Sequence, residues 1–215
     1  MNTAETIKDN VEQELRWDPS VSATKIGVSV NDGVVELDGH VSSLYEKWAA
    51  ERAALRVVDV TSVASEIAVD LPFESERTDE DIASAAANHL NWNSQVPETV
   101  KLSVSNGWIT LQGTAEWQFQ KEEAARSVRS LRGVRAVSND IELKPTVGPT
   151  GLKVTIEEAL KRNAQIDAKD ITVETSGALV ILRGHVHSLR EHDAAEHVAF
   201  CAPGVGSVTN LLAVA

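Results

Sequence analysis

A single cysteine, Cys201, stands among 215 residues, which excludes an intramolecular disulfide and fits a reducing compartment. Basic residues are scarce as well: 20 Lys and Arg face 32 Asp and Glu, a formal net charge of −12. Such a chain lacks the cations that replace phosphate counterions, so it is not read as a nucleic-acid binder, and purely electrostatic attraction to anionic lipid is weakened. No run approaches the roughly 20 apolar residues of a membrane span. The segment from Met1 to Asn10 has no basic flank followed by an apolar stretch, so no secretory signal is read there. The expected location is cytoplasmic, or periplasmic if a leader was removed. Catalytic signatures are missing too: there is no Gly-x-Ser-x-Gly, phosphate-binding glycine loop or dinucleotide fingerprint. Cys201 has small neighbours and no evident base, so it reads as a structural thiol. These absences predict a protein that is not an enzyme and uses no cofactor.

What is present is a repeat. The stretch Asn31-Asp32-Gly33-Val34-Val35-Glu36-Leu37-Asp38-Gly39-His40-Val41 returns as Ser105-Asn106-Gly107-Trp108-Ile109-Thr110-Leu111-Gln112-Gly113-Thr114-Ala115, and again from Thr175-Ser176-Gly177 to Gly184-His185-Val186. Each copy reads as a tight hairpin turn, a strand with period-two apolar alternation and an exit glycine. Before each hairpin lies a helical stripe with apolar residues four apart: Ile7, Val11, Leu15; Ile82, Ala86, Leu90; Ile156, Leu160, Ala164. Thr155 with Glu158 has capping-box spacing at the start of the third of these helices. The first strands align Val28 and Val30 with Leu102 and Val104 and with Ile171 and Val173, which leaves the third copy one extra residue and predicts a longer turn or a bulge there.

A second helix follows each exit glycine, opened by Ser43 with Glu46 and by Ser188 with Glu191 at capping-box spacing. Asp59, Gly133 and Gly204 occupy its C-terminal turn, where a left-handed residue is needed, and Asp59 holds that conformation less comfortably than glycine. A third strand closes each unit. The order predicts an α+β fold of three tandem αββαβ units, each a mixed three-stranded sheet with two helices packed on one face. The expected domains are 1–73, 77–145 and 151–215, separated by short linkers.

With its Asn/Ser-x-Gly turns, its Val35-Glu36-Leu37-Asp38-Gly39-His40-Val41 type of strand exit, and its closing segments Gly133 to Asn139 and Gly204 to Asn210, the chain resembles the BON family, the bacterial OsmY and nodulation domain, over nearly its whole length. The resemblance implies non-enzymatic modules that associate with phospholipid or envelope components, often in proteins of the osmotic and envelope stress response. Many relatives are exported, and this chain departs from them in that no signal is read in its first residues.

Positions that break the repeat nominate contact residues. Trp48 aligns with Glu122 and Asp193 and lies about 200° around its helix from Ala50, so it should point away from its own core, toward lipid, a partner or the neighbouring unit. Trp117 replaces the capping serines Ser43 and Ser188 and is followed by Phe119, an aromatic pair suited to an interface or to lipid insertion. Trp17, Trp92 and Ile166 are aligned with one another and read as core or edge packing. Trp108 falls on the sheet face opposite the helices. That face reads as polar in the second unit and apolar in the third, where Leu179, Ile181, Leu211 and Ala213 predict an inter-unit or inter-subunit contact. The histidines His185, His187, His192 and His197 are weighed as a metal cluster and set aside, because His192 and His197 align with solvated basic positions. The function expected is non-catalytic binding to phospholipid or an envelope surface. The alternative is a cytoplasmic protein-interaction or scaffold module, self-association included, that uses the same aromatics and sheet face.

Overall fold

Two-residue turns set the geometry of every hairpin. In the first two copies Asp32-Gly33 and Asn106-Gly107 take φ values of 49°, 79°, 51° and 77°, the doubly positive pattern of a type I′ turn. The computed structural model describes residues 3–72, 77–145, 151–164 and 166–214. The linker stretches 73–76 and 146–150 lie outside the described residues.

The first unit runs α1 (Ala4–Trp17), β1 (Ile26–Asn31), β2 (Val34–Val41), α2 (Leu44–Leu55) and β3 (Ser62–Val69). The second repeats it as α3 (Asp79–Trp92), β4 (Lys101–Ser105), β5 (Trp108–Ala115), α4 (Gln118–Arg129) and β6 (Ala136–Leu143). The third comprises α5 (Leu152–Arg162), β7 (Ile171–Ser176), β8 (Leu179–Val186), α6 (Leu189–Phe200) and β9 (Ser207–Val214). The hairpin's second strand is central in each three-stranded sheet. β1 is antiparallel and β3 parallel to β2, and β7 and β9 stand in the same relation to β8. This is the α+β architecture read from the repeat. Val35 and Leu37 are fully buried beneath the helices while Val34 and Glu36 are exposed, so one face of the sheet is packed and the other open.

The exit glycines are obligatory. A Cβ at Gly39, Gly113 or Gly184 would collide with the carbonyl oxygen of Lys25, Thr99 or Asp170, and their φ values of 125°, 132° and 131° disfavour any side chain. Asp59, Gly133 and Gly204 take the left-handed turn expected, at 66°, 90° and 93°.

Four expectations for local structure are corrected. In the third unit α5 begins at Leu152 behind Gly151, with Leu152, Ile156 and Leu160 buried, so Ala164 lies past its end and Thr155 is no cap; its hydroxyl donates to the Gly151 carbonyl at 3.2 Å. The third hairpin has no extra residue: Ile171 pairs with Gly184 as Ile26 pairs with Gly39, and only Gly177, at 59°, has positive φ. Its glycine has moved to the first turn position, as a type II′ turn requires. Ile166 is aligned by structure with Val21 and Val96, whose N–H groups each donate to the cap carbonyls of Asp18 and Asn93 as that of Ile166 does to Asn163. Trp17 and Trp92 are not packed in a core at all; they are the last residues of α1 and α3 and are 83% and 89% exposed.

By contact the chain forms two compact bodies. One is Met1–Gly113 with Gln120–Ile141, and the other is Thr114–Phe119 with Glu142–Ala215.

Candidate functional site

The start of the second helix is built in the same way in the first and third units. Ser43 Oγ accepts the Glu46 N–H and Ser188 Oγ the Glu191 N–H, both at 3.1 Å. The glutamates do not close a capping box. Glu46, 5% exposed, accepts the N–H groups of Ser22 at 2.8 Å and Ser42 at 3.0 Å together with the Ser42 hydroxyl. Glu191, 6% exposed, accepts the N–H groups of Asp167 at 2.5 Å and His187 at 2.8 Å. Each carboxylate therefore ties the loop after the first helix to the corner before the second. Burial opposes ionisation of both, but the hydrogen bonds outweigh it and hold both carboxyls below their usual range. In the second unit Trp117 and Gln120 stand at these two positions.

Trp117 and Phe119 come together. With Gln118, His197, Phe200 and Cys201 they line a cavity of about 270 Å³, and Phe119 remains 47% exposed. Trp48 is elsewhere, half buried on α2 with the Tyr45 ring at 5.8 Å and the Arg52 guanidinium 4.6 Å above its indole. The Arg129 guanidinium of α4 approaches the same indole to 5.9 Å, joining the first two repeats within one compact body. Burial pushes the Arg129 guanidinium down from its ordinary value; Glu51 and Glu122 oppose this and Arg126 adds to it.

Leu179, Ile181, Leu211 and Ala213 all reach the outer face of the third sheet, but the register interleaves them with polar groups. Leu179 lies opposite Ser207, Ile181 opposite Thr209, Leu211 opposite Arg183 and Ala213 opposite His185. Arg183 pairs with Glu174 at 3.6 Å. The face is amphipathic rather than a continuous apolar patch.

The histidines do not share a focus. His187 Nδ1 lies 3.2 Å from Glu191 Oε2, His192 Nδ1 is 3.2 Å from Asp193, and His197 Nε2 is 3.7 Å from the exposed Cys201 Sγ. Among the described residues no three His, Cys, Asp or Glu side chains are placed to hold a metal ion.

Sequence reasoning missed Trp17 and Trp92 as surface residues. A signal for them existed: each lies two residues, about 200°, past the last stripe leucine, on the far side of its helix.

The αββαβ unit, repeated with a left-handed turn after its second helix, defines a small domain family. The chain matches the family model described as BON domain over residues 3–70, 78–145 and 150–215, and it belongs to that family as three tandem BON domains. It is similar to osmotically-inducible protein Y of Escherichia coli strain K12, at 28% identity over 137 residues that cover 60% of this chain and 67% of that protein. Among solved structures it aligns with the C-terminal domain of CdsD, a structural protein of the Type III secretion system of Chlamydia trachomatis, at 14% identity and a TM-score of 0.26 over 100% of both chains.

Proposed function

We propose that this chain is a non-catalytic binding protein of the bacterial osmotic or envelope stress response, and that it makes apolar contact with a phospholipid surface. The supporting observation is the exposure of Trp17 and Trp92, 83% and 89%, at equivalent positions of two repeats. Tryptophan is the side chain best suited to the boundary between water and lipid. With a net charge of −12, apolar burial at about 25 cal/mol per Å² has to drive the contact rather than attraction to anionic headgroups. Phe119 adds apolar surface, whereas Trp48 is engaged in holding two repeats together. The stress-response part of the reading is supported by the BON domains and by the similarity to osmotically-inducible protein Y.

A second reading, a protein-interaction or scaffold module, is favoured by the apolar cavity at Trp117 and Phe119 and by the outer face that carries Leu179, Ile181, Leu211 and Ala213. Co-sedimentation with zwitterionic and anionic liposomes, at low and moderate salt, separates the two. Binding that survives salt and falls roughly tenfold in Trp17→Ala or Trp92→Ala supports the lipid contact. A stable dimer that sediments with no liposome supports the scaffold and overturns the lipid reading.

A further inference from the structure

On the open face of the second sheet, beside the β4–β5 turn, lies a groove of about 540 Å³ lined by Trp108, Arg135, Asn106 and hydroxyls that include those of Ser103, Thr110 and Ser138. Trp108 is 53% exposed, and its indole N–H donates to Ser138 Oγ at 3.0 Å, which fixes the plane of the ring. Arg135 is anchored beside the turn by its own N–H, which donates to the Gly107 carbonyl at 2.9 Å, while its guanidinium makes no ion pair among the described residues.

Neither other repeat presents this combination. The first unit has Val34, Glu36, Thr61 and Ala64 where the second has Trp108, Thr110, Arg135 and Ser138, and the third has Leu179, Ile181, Gly206 and Thr209. Both counterparts carry a carboxylate on the face, Glu36 bonded to Ser29 and Glu174 paired with Arg183. Within the groove of the second unit the lining holds none. The nearest turn carboxylate, Asp79, is occupied by the N–H groups of Asn106 at 2.7 Å and Gly107 at 2.8 Å, and Asp140 and Glu142 lie at the far end of β6.

We propose that this groove is a binding site for a saccharide bearing a carboxylate. A sugar ring offers one face of C–H groups, which stacks on a held indole, and a rim of hydroxyls, which exchange hydrogen bonds with serine, threonine and asparagine side chains. Arg135 is the sole full charge of the lining, and a guanidinium pairs best with a planar carboxylate through two parallel hydrogen bonds. An isolated phosphate would satisfy the arginine and leave the indole unused. The proposal is independent of lipid contact, which involves other residues.

The test titrates trigalacturonic acid, chitotriose and inorganic phosphate into the full chain while backbone amide resonances are followed. Trigalacturonic acid is expected to bind most tightly and to shift residues 103–110 and 135–138. Trp108→Ala should weaken it roughly tenfold, and Arg135→Ala should abolish its advantage over chitotriose. Val58→Ala, an exposed apolar residue outside the groove, should leave saccharide binding unchanged. Unshifted amides with trigalacturonic acid, equal binding of chitotriose or phosphate, or undiminished binding in a folded Trp108→Ala variant would each overturn the proposal.

Discussion

The corner before the second helix is made in two ways within one chain. In the first and third units a serine caps the helix and a buried glutamate gathers N–H groups from two loops. In the second unit Trp117 and Gln120 stand at those two positions, and a carboxylate takes backbone donors at the hairpin, where Asp79 accepts the two turn N–H groups of Asn106 and Gly107. A carboxylate thus holds loop N–H groups in every repeat, by a corner glutamate in the first and third units and by Asp79 at the hairpin in the second. The corner of the second unit carries a tryptophan beside an apolar cavity, where the other two units carry a capping serine.

The largest expected effect comes from removing the buried clamp. Glu46→Ala or Glu191→Ala leaves two backbone donors unpaired and should cost about 3 kcal/mol in the unit concerned, read by urea denaturation and amide exchange, whereas Gln120→Ala, which removes a neutral amide rather than a charged acceptor, should cost less. Equal losses at the three positions would erase the distinction between the corners.

Acid should act on the same two units. Because the folded carboxyls of Glu46 and Glu191 titrate below the usual value of about 4.3, their contribution is complete above that pH and is lost as pH falls through the lowered folded values. Glu46→Gln and Glu191→Gln should flatten acid unfolding of the first and third units and leave the second unchanged. An acid transition unaffected by both substitutions would remove the carboxylates from the account.

Asp79→Ala should destabilise the second unit by about 1 to 2 kcal/mol and loosen its hairpin amides alone. The smallest effect is a gain. Asp59→Gly relieves a left-handed φ of 66° that the other two units give to glycine, and should stabilise the first unit by about 1 kcal/mol, visible as a raised urea midpoint.

Period and turn chemistry made most of the architecture legible before any coordinates. The element order, the mixed sheets and the left-handed residue after each second helix all follow from residues such as Gly133 and the Ser43–Glu46 spacing. The two slips of phase in the third unit share one cause. Ile156, Leu160, Ala164 and Leu152, Ile156, Leu160 have the same four-residue spacing, so a slip of one turn leaves the stripe intact. The alignment of Val28 and Val30 with Ile171 and Val173 slipped by two, which leaves strand alternation intact. Periodicity specifies which face is buried; a cap or a turn has to specify the phase, and glycine at either position of a two-residue turn left that open in the third unit. Trp17 and Trp92 have a different cause: apolar residues fill the interior, but an apolar residue need not be buried.

The closing Gly-Val-x-x-Val-x-Asn segment has a physical basis that the sequence did not reveal. Asn139 and Asn210 donate from β6 and β9 to the carbonyls of Lys121 and His192 at 2.7 and 3.0 Å, fastening the last strand to the second helix. The first unit has Ser65 there, too short to reach, and its hydroxyl has no hydrogen-bond partner among the described residues.

Each unit's last strand is also the edge of its sheet, with backbone groups on its far side that another strand is able to pair. A charge on such an edge discourages that pairing, since a neighbouring strand would have to desolvate it. β3 carries Glu66, and β6 carries Asp140 and Glu142, whereas β9, Ser-Val-Thr-Asn-Leu-Leu-Ala-Val, carries no charge at all. Of the three otherwise similar borders, the third is the one without a gatekeeper.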